Sequence, residues 1–128
     1  MRMSKCNSFN FSCARGQTQI NRDFDWSVAC QKNDAQKNPI DLTGYTNKVI
    51  INKSDGTLFA ELIDVGGVGI DGVYTPDVAT GIRYIQLSDT TTATMADDFY
   101  IYEWEEYDTN GLKKLFMHGT IEVCNGSF

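Results

Sequence analysis

An all-β domain, folded as a sandwich of two sheets, is the class this sequence predicts. Apolar residues come in short runs with period two, and turn residues recur about every 8–12 residues, as in sandwich proteins. Only one stretch has the grammar of a helix. Period two is diagnostic because successive side chains leave a strand on opposite faces, so alternation gives one apolar face to bury.

The strands follow in order. Phe24–Gln31 sets Trp26, Val28 and Cys30 together. Tyr45–Lys53 sets Val49 with Ile51, and Leu58–Ile63 sets Leu58, Ala60 and Leu62 on one side. Ile82–Leu87 alternates less cleanly. Phe99–Tyr107 aligns Tyr100, Tyr102 and Trp104, and Leu112–Val123 aligns Leu115, Met117, Gly119, Ile121 and Val123. Seven or so antiparallel strands are expected, with a core of Trp26, Val28, Val49, Ile51, Leu62, Tyr102, Trp104, Leu115, Met117 and Ile121. Ser54-Asp55-Gly56 and Asp108-Thr109-Asn110-Gly111 read as hairpin turns, where glycine accepts positive φ without steric cost. Asn33–Pro39 is a polar loop and Gly66–Gly69 a connection. The one helix is expected near 88–95, capped by Ser88 and kept to a turn or two by its β-branched threonines.

With 128 residues the chain has room for one domain, and no repeat, low-complexity tract or linker divides it. The sandwich is expected over 16–128, preceded by an N-terminal arm, 1–15, that adds nothing to the alternation. The arm holds Phe9 and Phe11, apolar anchors on a polar segment and the candidate partner-docking residues. Seventeen acids against eleven bases give a net charge of −6, which argues against nucleic acid as a partner, since phosphate neutralisation needs a basic field. No run approaches the roughly 20 apolar residues of a membrane span, and residues 6–12 are too polar for a signal peptide. Four cysteines (Cys6, Cys13, Cys30, Cys124) allow two disulfides; with no export signal they are expected as free thiols, and their spacing does not match a zinc site.

Residues capable of chemistry are scattered. Glu103, Glu105, Glu106 and Asp108 form the densest acidic cluster, but a strand turns the first two away from the last two. The cluster is expected to be solvated sheet surface, not a general acid–base pair or calcium site. Asp23, Asp25, Asp97 and Asp98 lack the other ligands of a calcium loop. His118 is the only histidine, and no G-x-S-x-G turn offers it a nucleophile. Gly66–Gly69 has no helix after it to cradle phosphate. Tyr100, Tyr102 and Trp104 would suit a sugar-stacking platform, but the same alternation makes them core. No catalytic residue, cofactor or metal is expected.

Several segments resemble a family of tailed bacteriophages. Asn38-Pro39-Ile40-Asp41-Leu42-Thr43-Gly44-Tyr45-Thr46 is similar to a G-x-P-I-D-L-T-G-Y-T segment, and Leu87–Thr92 to an L-S-x-x-x-T short helix. Asp98–Trp104 resembles G-x-Y-x-Y-D-L, with Glu103 in place of the aspartate and Asp97-Asp98 in place of a small turn. Gly111, Leu115, Gly119, Ile121 and Val123 resemble G-x-x-x-x-L-x-x-G-x-V-x-V. The likeness spans about residues 16–124 and is most specific over Pro39–Tyr45. The family is the N-terminal domain of upper-baseplate, receptor-binding-protein-anchoring proteins. It implies an immunoglobulin-like antiparallel sandwich and a virion structural part without enzymatic activity, assembled in the host cytoplasm. Such a part would mount a fibre, spike or receptor-binding protein on the tail or baseplate. Its partners would be other virion proteins, including copies of itself, with no nucleic acid and no membrane. The alternatives are a capsid decoration or collar protein and, in another class, a carbohydrate-binding module.

Overall fold

A computed structural model describes residues 16–124. Its strands are β1 (Gly16–Asn21), β2 (Trp26–Gln31), β3 (Thr46–Lys53), β4 (Leu58–Val65), β5 (Gly72–Tyr74), β6 (Ile82–Leu87), β7 (Phe99–Tyr107) and β8 (Lys113–Cys124). A 3-10 turn, Val78–Thr80, precedes β6, and one helical turn, α1 (Asp89–Thr92), follows it. The strand order β1-β8-β7-β3-β4-β5-β6-β2 makes one mixed sheet that folds over itself as a sandwich, nearly closing into a barrel.

The fold turns at β4. Its first part pairs with β3, from Asn52↔Leu58 to Lys48↔Ile63, and its last two residues, Asp64 and Val65, pair with β5. One strand thus serves both layers. The close approach of β5 at this corner needs Gly72, whose φ is 153°; a Cβ there would lie 2.6 Å from the Ile63 carbonyl oxygen and 2.5 Å from a Val65 methyl.

Among the described residues, five ladders are antiparallel, as expected, and two are parallel: β1 with β8, and β4 with β5. The parallel pairs involve the two strands that periodicity missed. β1 has a single apolar residue, Ile20, which is fully buried, and β5 has only three residues, too few to show a period. The helix is shorter than residues 88–95. Ser88 caps it by accepting from the Thr91 amide, and Thr92 donates to the Phe24 carbonyl, fixing the turn to the β1–β2 connection.

Val28, Val49, Ile51, Leu62, Tyr102, Trp104, Met117 and Ile121 are buried as their alternation predicts, and Trp26 packs half-buried at the margin. Leu115 is the exception, at 54% exposed. A β-bulge explains it. Trp104 faces Met117, but the next residue of β7, Glu105, faces Leu115, so Phe116 is the extra residue. The bulge reverses the facing of everything before it on β8. Leu115 accordingly shares the outer side with Glu105, while Phe116 packs edge-on against Trp104, 5.1 Å between centroids.

The expectation of free thiols is overturned at the two cysteines within the described residues: Cys30 and Cys124 are both disulfide-bonded. Both are buried on strands, and burial does not itself keep a thiol from a partner.

Two outcomes check this account. Leu115→Ser should change stability by no more than about 0.5 kcal/mol, whereas Met117→Ala should cost about 2–5 kcal/mol, read from urea melts. Reductant should lower the melting temperature by more than about 5 °C, since a disulfide typically contributes some 2–4 kcal/mol.

Candidate functional site

The period-two face of β7 does not end at Trp104. Glu106 continues it and points between the layers, 2% exposed. The expectation that the whole acidic cluster is solvated surface therefore fails at this residue; Glu103 and Glu105 do face outward. Opposite it, β6 directs Arg83 inward on the same parity as Ile85 and Leu87, and Arg83 is fully buried. The Arg83 guanidinium donates through Nη1 to Glu106 Oε2 and to Asn47 Oδ1, 2.7 Å each. Lys32, just beyond β2, donates to the other Glu106 oxygen. The Trp104 indole N–H also donates to Asn47 Oδ1, at 3.1 Å.

Rings complete the enclosure. The guanidinium carbon lies 4.2 Å from the Phe116 centroid and 5.0 Å from that of Trp104, within cation–π range. Lys32 sits 5.3 Å from Phe116 and 5.5 Å from Tyr45. Burial lowers the Arg83 pKa, and its hydrogen bond and charge pairing with Glu106 act the other way. Burial likewise raises the pKa of Tyr102, whose hydroxyl has no hydrogen-bond partner among the described residues.

Asn47 carries the network outward. Its backbone N–H donates to Asp64 Oδ2 and its side-chain amide to Asp64 Oδ1, both at 2.9 Å. The reason is local: β4 leaves β3 at Asp64 to join β5, and the carboxylate receives the amide that the departing strand leaves behind. Beside it a cleft of about 250 Å³ opens at the sheet corner, walled by Leu42, Tyr45, Asn47, Asp64, Val73 and Val78 among others. One wall is the Pro39–Tyr45 segment. Gly44 lets it turn at φ 83°, where a Cβ would stand 2.8 Å from the Thr109 methyl.

Of the residues weighed from sequence, Tyr100, Tyr102 and Trp104 are all buried, which removes them as a sugar platform. His118 is exposed on β8 opposite Glu103. Asp97 pairs with Arg22 at 3.4 Å, Asp98 accepts from Ser54, and Asp25 accepts from the Asp89 amide. Phe9 and Phe11, with the whole of the arm 1–15, lie outside the described residues. Arg83 and Asn47 were missed, although the parity of Arg83 with Ile85 and Leu87 was a usable signal. No group of three or more His, Cys, Asp or Glu among the described residues is placed to hold a metal ion. The exposed apolar residues Ile63 and Leu115 lie on the outer face of β4 and β8, interspersed with Lys48 and Glu105.

Among solved structures, the chain is similar to the N-terminal domain of phage TP901-1 ORF48. A phage domain shares this fold. The TM-score is 0.51 at 10% sequence identity, over 88% of this chain and 92% of that one. No protein-family model and no curated protein matches the chain.

Glu106→Gln should destabilise by about 3–5 kcal/mol, because it strands a buried guanidinium; Arg83→Met combined with Glu106→Leu should recover most of that loss. Glu105→Gln, one residue away beside exposed Lys113, should leave the melting temperature nearly unchanged.

Proposed function

We propose that this chain is a phage virion structural protein, an adaptor that mounts a fibre, spike or receptor-binding protein on the tail or baseplate. The observation that carries this reading is the near full-length likeness to the N-terminal domain of phage TP901-1 ORF48. The Pro39–Tyr45 segment supports it, since it forms the rim of the sheet corner and resembles a phage baseplate motif. In this reading the protein has no enzymatic activity and works through surfaces, docking on other virion proteins and on copies of itself in a particle assembled in the host cytoplasm. A capsid decoration or collar protein would use the same fold with a different copy number.

The arm 1–15 is the proposed docking element. Its Phe9 and Phe11 would each contribute roughly 1.5–3 kcal/mol on burial, before the cost of ordering the segment. Phe9→Ser with Phe11→Ser should leave the melting temperature of the isolated domain unchanged and reduce incorporation into particles at least about tenfold, measured by mass spectrometry of purified virions. Normal incorporation of that variant would transfer the contact to the sandwich itself. Absence of the wild-type chain from virions would end the structural reading.

A further inference from the structure

We propose that the cleft at the sheet corner binds one cationic side chain, a lysine or arginine, presented by a partner protein. At about 250 Å³ it falls below the roughly 300–1,000 Å³ of small-molecule sites and suits a single side chain. Its walls match such an occupant in two parts. Val65 and Val78 offer apolar surface to an alkyl stem, as long charged side chains require, over a floor of buried Leu42 and Val73. Asp64 offers a carboxylate to the head group.

Asp64 is built to receive a cation. Both of its oxygens are held at 2.9 Å by Asn47, which is 6% exposed and is itself gripped by Arg83 and Trp104. The carboxylate therefore cannot swing away, and little orientation entropy remains to be lost on binding. Among the described residues no lysine or arginine lies within ion-pair distance of it: Lys48 pairs with Glu61, and Arg83 pairs with Glu106 and feels Asp64 only as a weaker, more distant charge. Asp64 is exposed at the mouth, so a partner can reach it. A chain of net charge −6 also attracts a basic partner segment at long range.

That the side chain comes from a virion protein rests on the docking role proposed above; that the cleft selects a cation does not. The test uses the full isotope-labelled chain and titrates it with N-acetyl-arginine methylamide and N-acetyl-lysine methylamide, following amide chemical shifts. Changes should centre on Tyr45, Asn47, Asp64 and Val73, with dissociation constants of about 1–10 mM, a range expected for one side chain without its protein. Asp64→Asn keeps an acceptor for Asn47 and should weaken both probes about tenfold. Val78→Trp, at an exposed position on the rim, should block them without touching the carboxylate. N-acetyl-leucine methylamide should not bind. Equal binding of the leucine probe, unchanged affinity in Asp64→Asn, or no shifts at the corner would each overturn the proposal. Probe binding by a chain absent from virions would instead keep the cleft and remove the docking role.

Discussion

The carboxylate of Glu106 sits where the two layers of the sandwich meet, and much of the remaining structure is arranged to make its burial tolerable. A lone charge there would carry a desolvation penalty of several kcal/mol. Here it is answered by Arg83 from the opposite layer and by Lys32 from the segment after β2, while its ladder neighbour Asn47 takes the second bond from the Arg83 guanidinium. These four residues come from β7, β6, β3 and the β2–β3 connection. An apolar core of the same volume would serve stability as well or better. What the polar clamp adds is register, because hydrogen bonds of fixed length tolerate no sliding of one layer over the other. Trp104, Phe116 and Tyr45 then find their places around the cations.

The acidity of the chain has a second use, in its loops. Asp55 accepts from the amide and hydroxyl of Thr57, Asp41 does the same with Thr43, and Asp108 accepts from the amides of Asn110 and Leu112. These side chains imitate the backbone bonds of a turn and free the strands to end abruptly. The bonds hold the Asp41, Asp55 and Asp108 carboxyls below their usual range, and the Ser54 hydroxyl with the Phe99 amide does so for Asp98. Each such group favours the fold once ionised in the unfolded chain, above about pH 3.8, and loses that contribution as pH falls through its lower folded value. The excess of acids thus says as much about turns as about partners.

Most of the fold was legible because alternation survives through β2, β3 and β7 and over the inner parts of β4 and β8; β7 begins and ends where its pattern does. What escaped has physical causes. β1 and β5 each place one apolar side chain in the core, Ile20 and Val73, and a single buried residue leaves no period in hydropathy. Leu115 was misplaced because a bulge is a property of two strands together, and neither one announces it. The polar clamp is hard to see in the sequence because charged residues ordinarily face solvent, although Glu106 lies on the face of Tyr102 and Trp104. Parity was the stronger evidence. That Cys30 and Cys124 are disulfide-bonded could not be read from spacing, since four cysteines allow three pairings and hydropathy favours none of them.

The corner cleft follows from the same economy of strands. A sandwich that passes one strand from layer to layer must open a gap where that strand departs, and β4 departs at Asp64. The gap exposes the Asn47 amide, which must be satisfied; the nearest means is the side chain of the departing residue itself. A carboxylate that meets this need has lone pairs to spare, and its exposure at the rim keeps them in reach of solvent or of a visitor. Clamp and cleft are two ends of one hydrogen-bonded line, from Glu106 through Arg83 and Asn47 to Asp64. A structural requirement of the fold thereby leaves a rigid, charged feature on the surface of the domain.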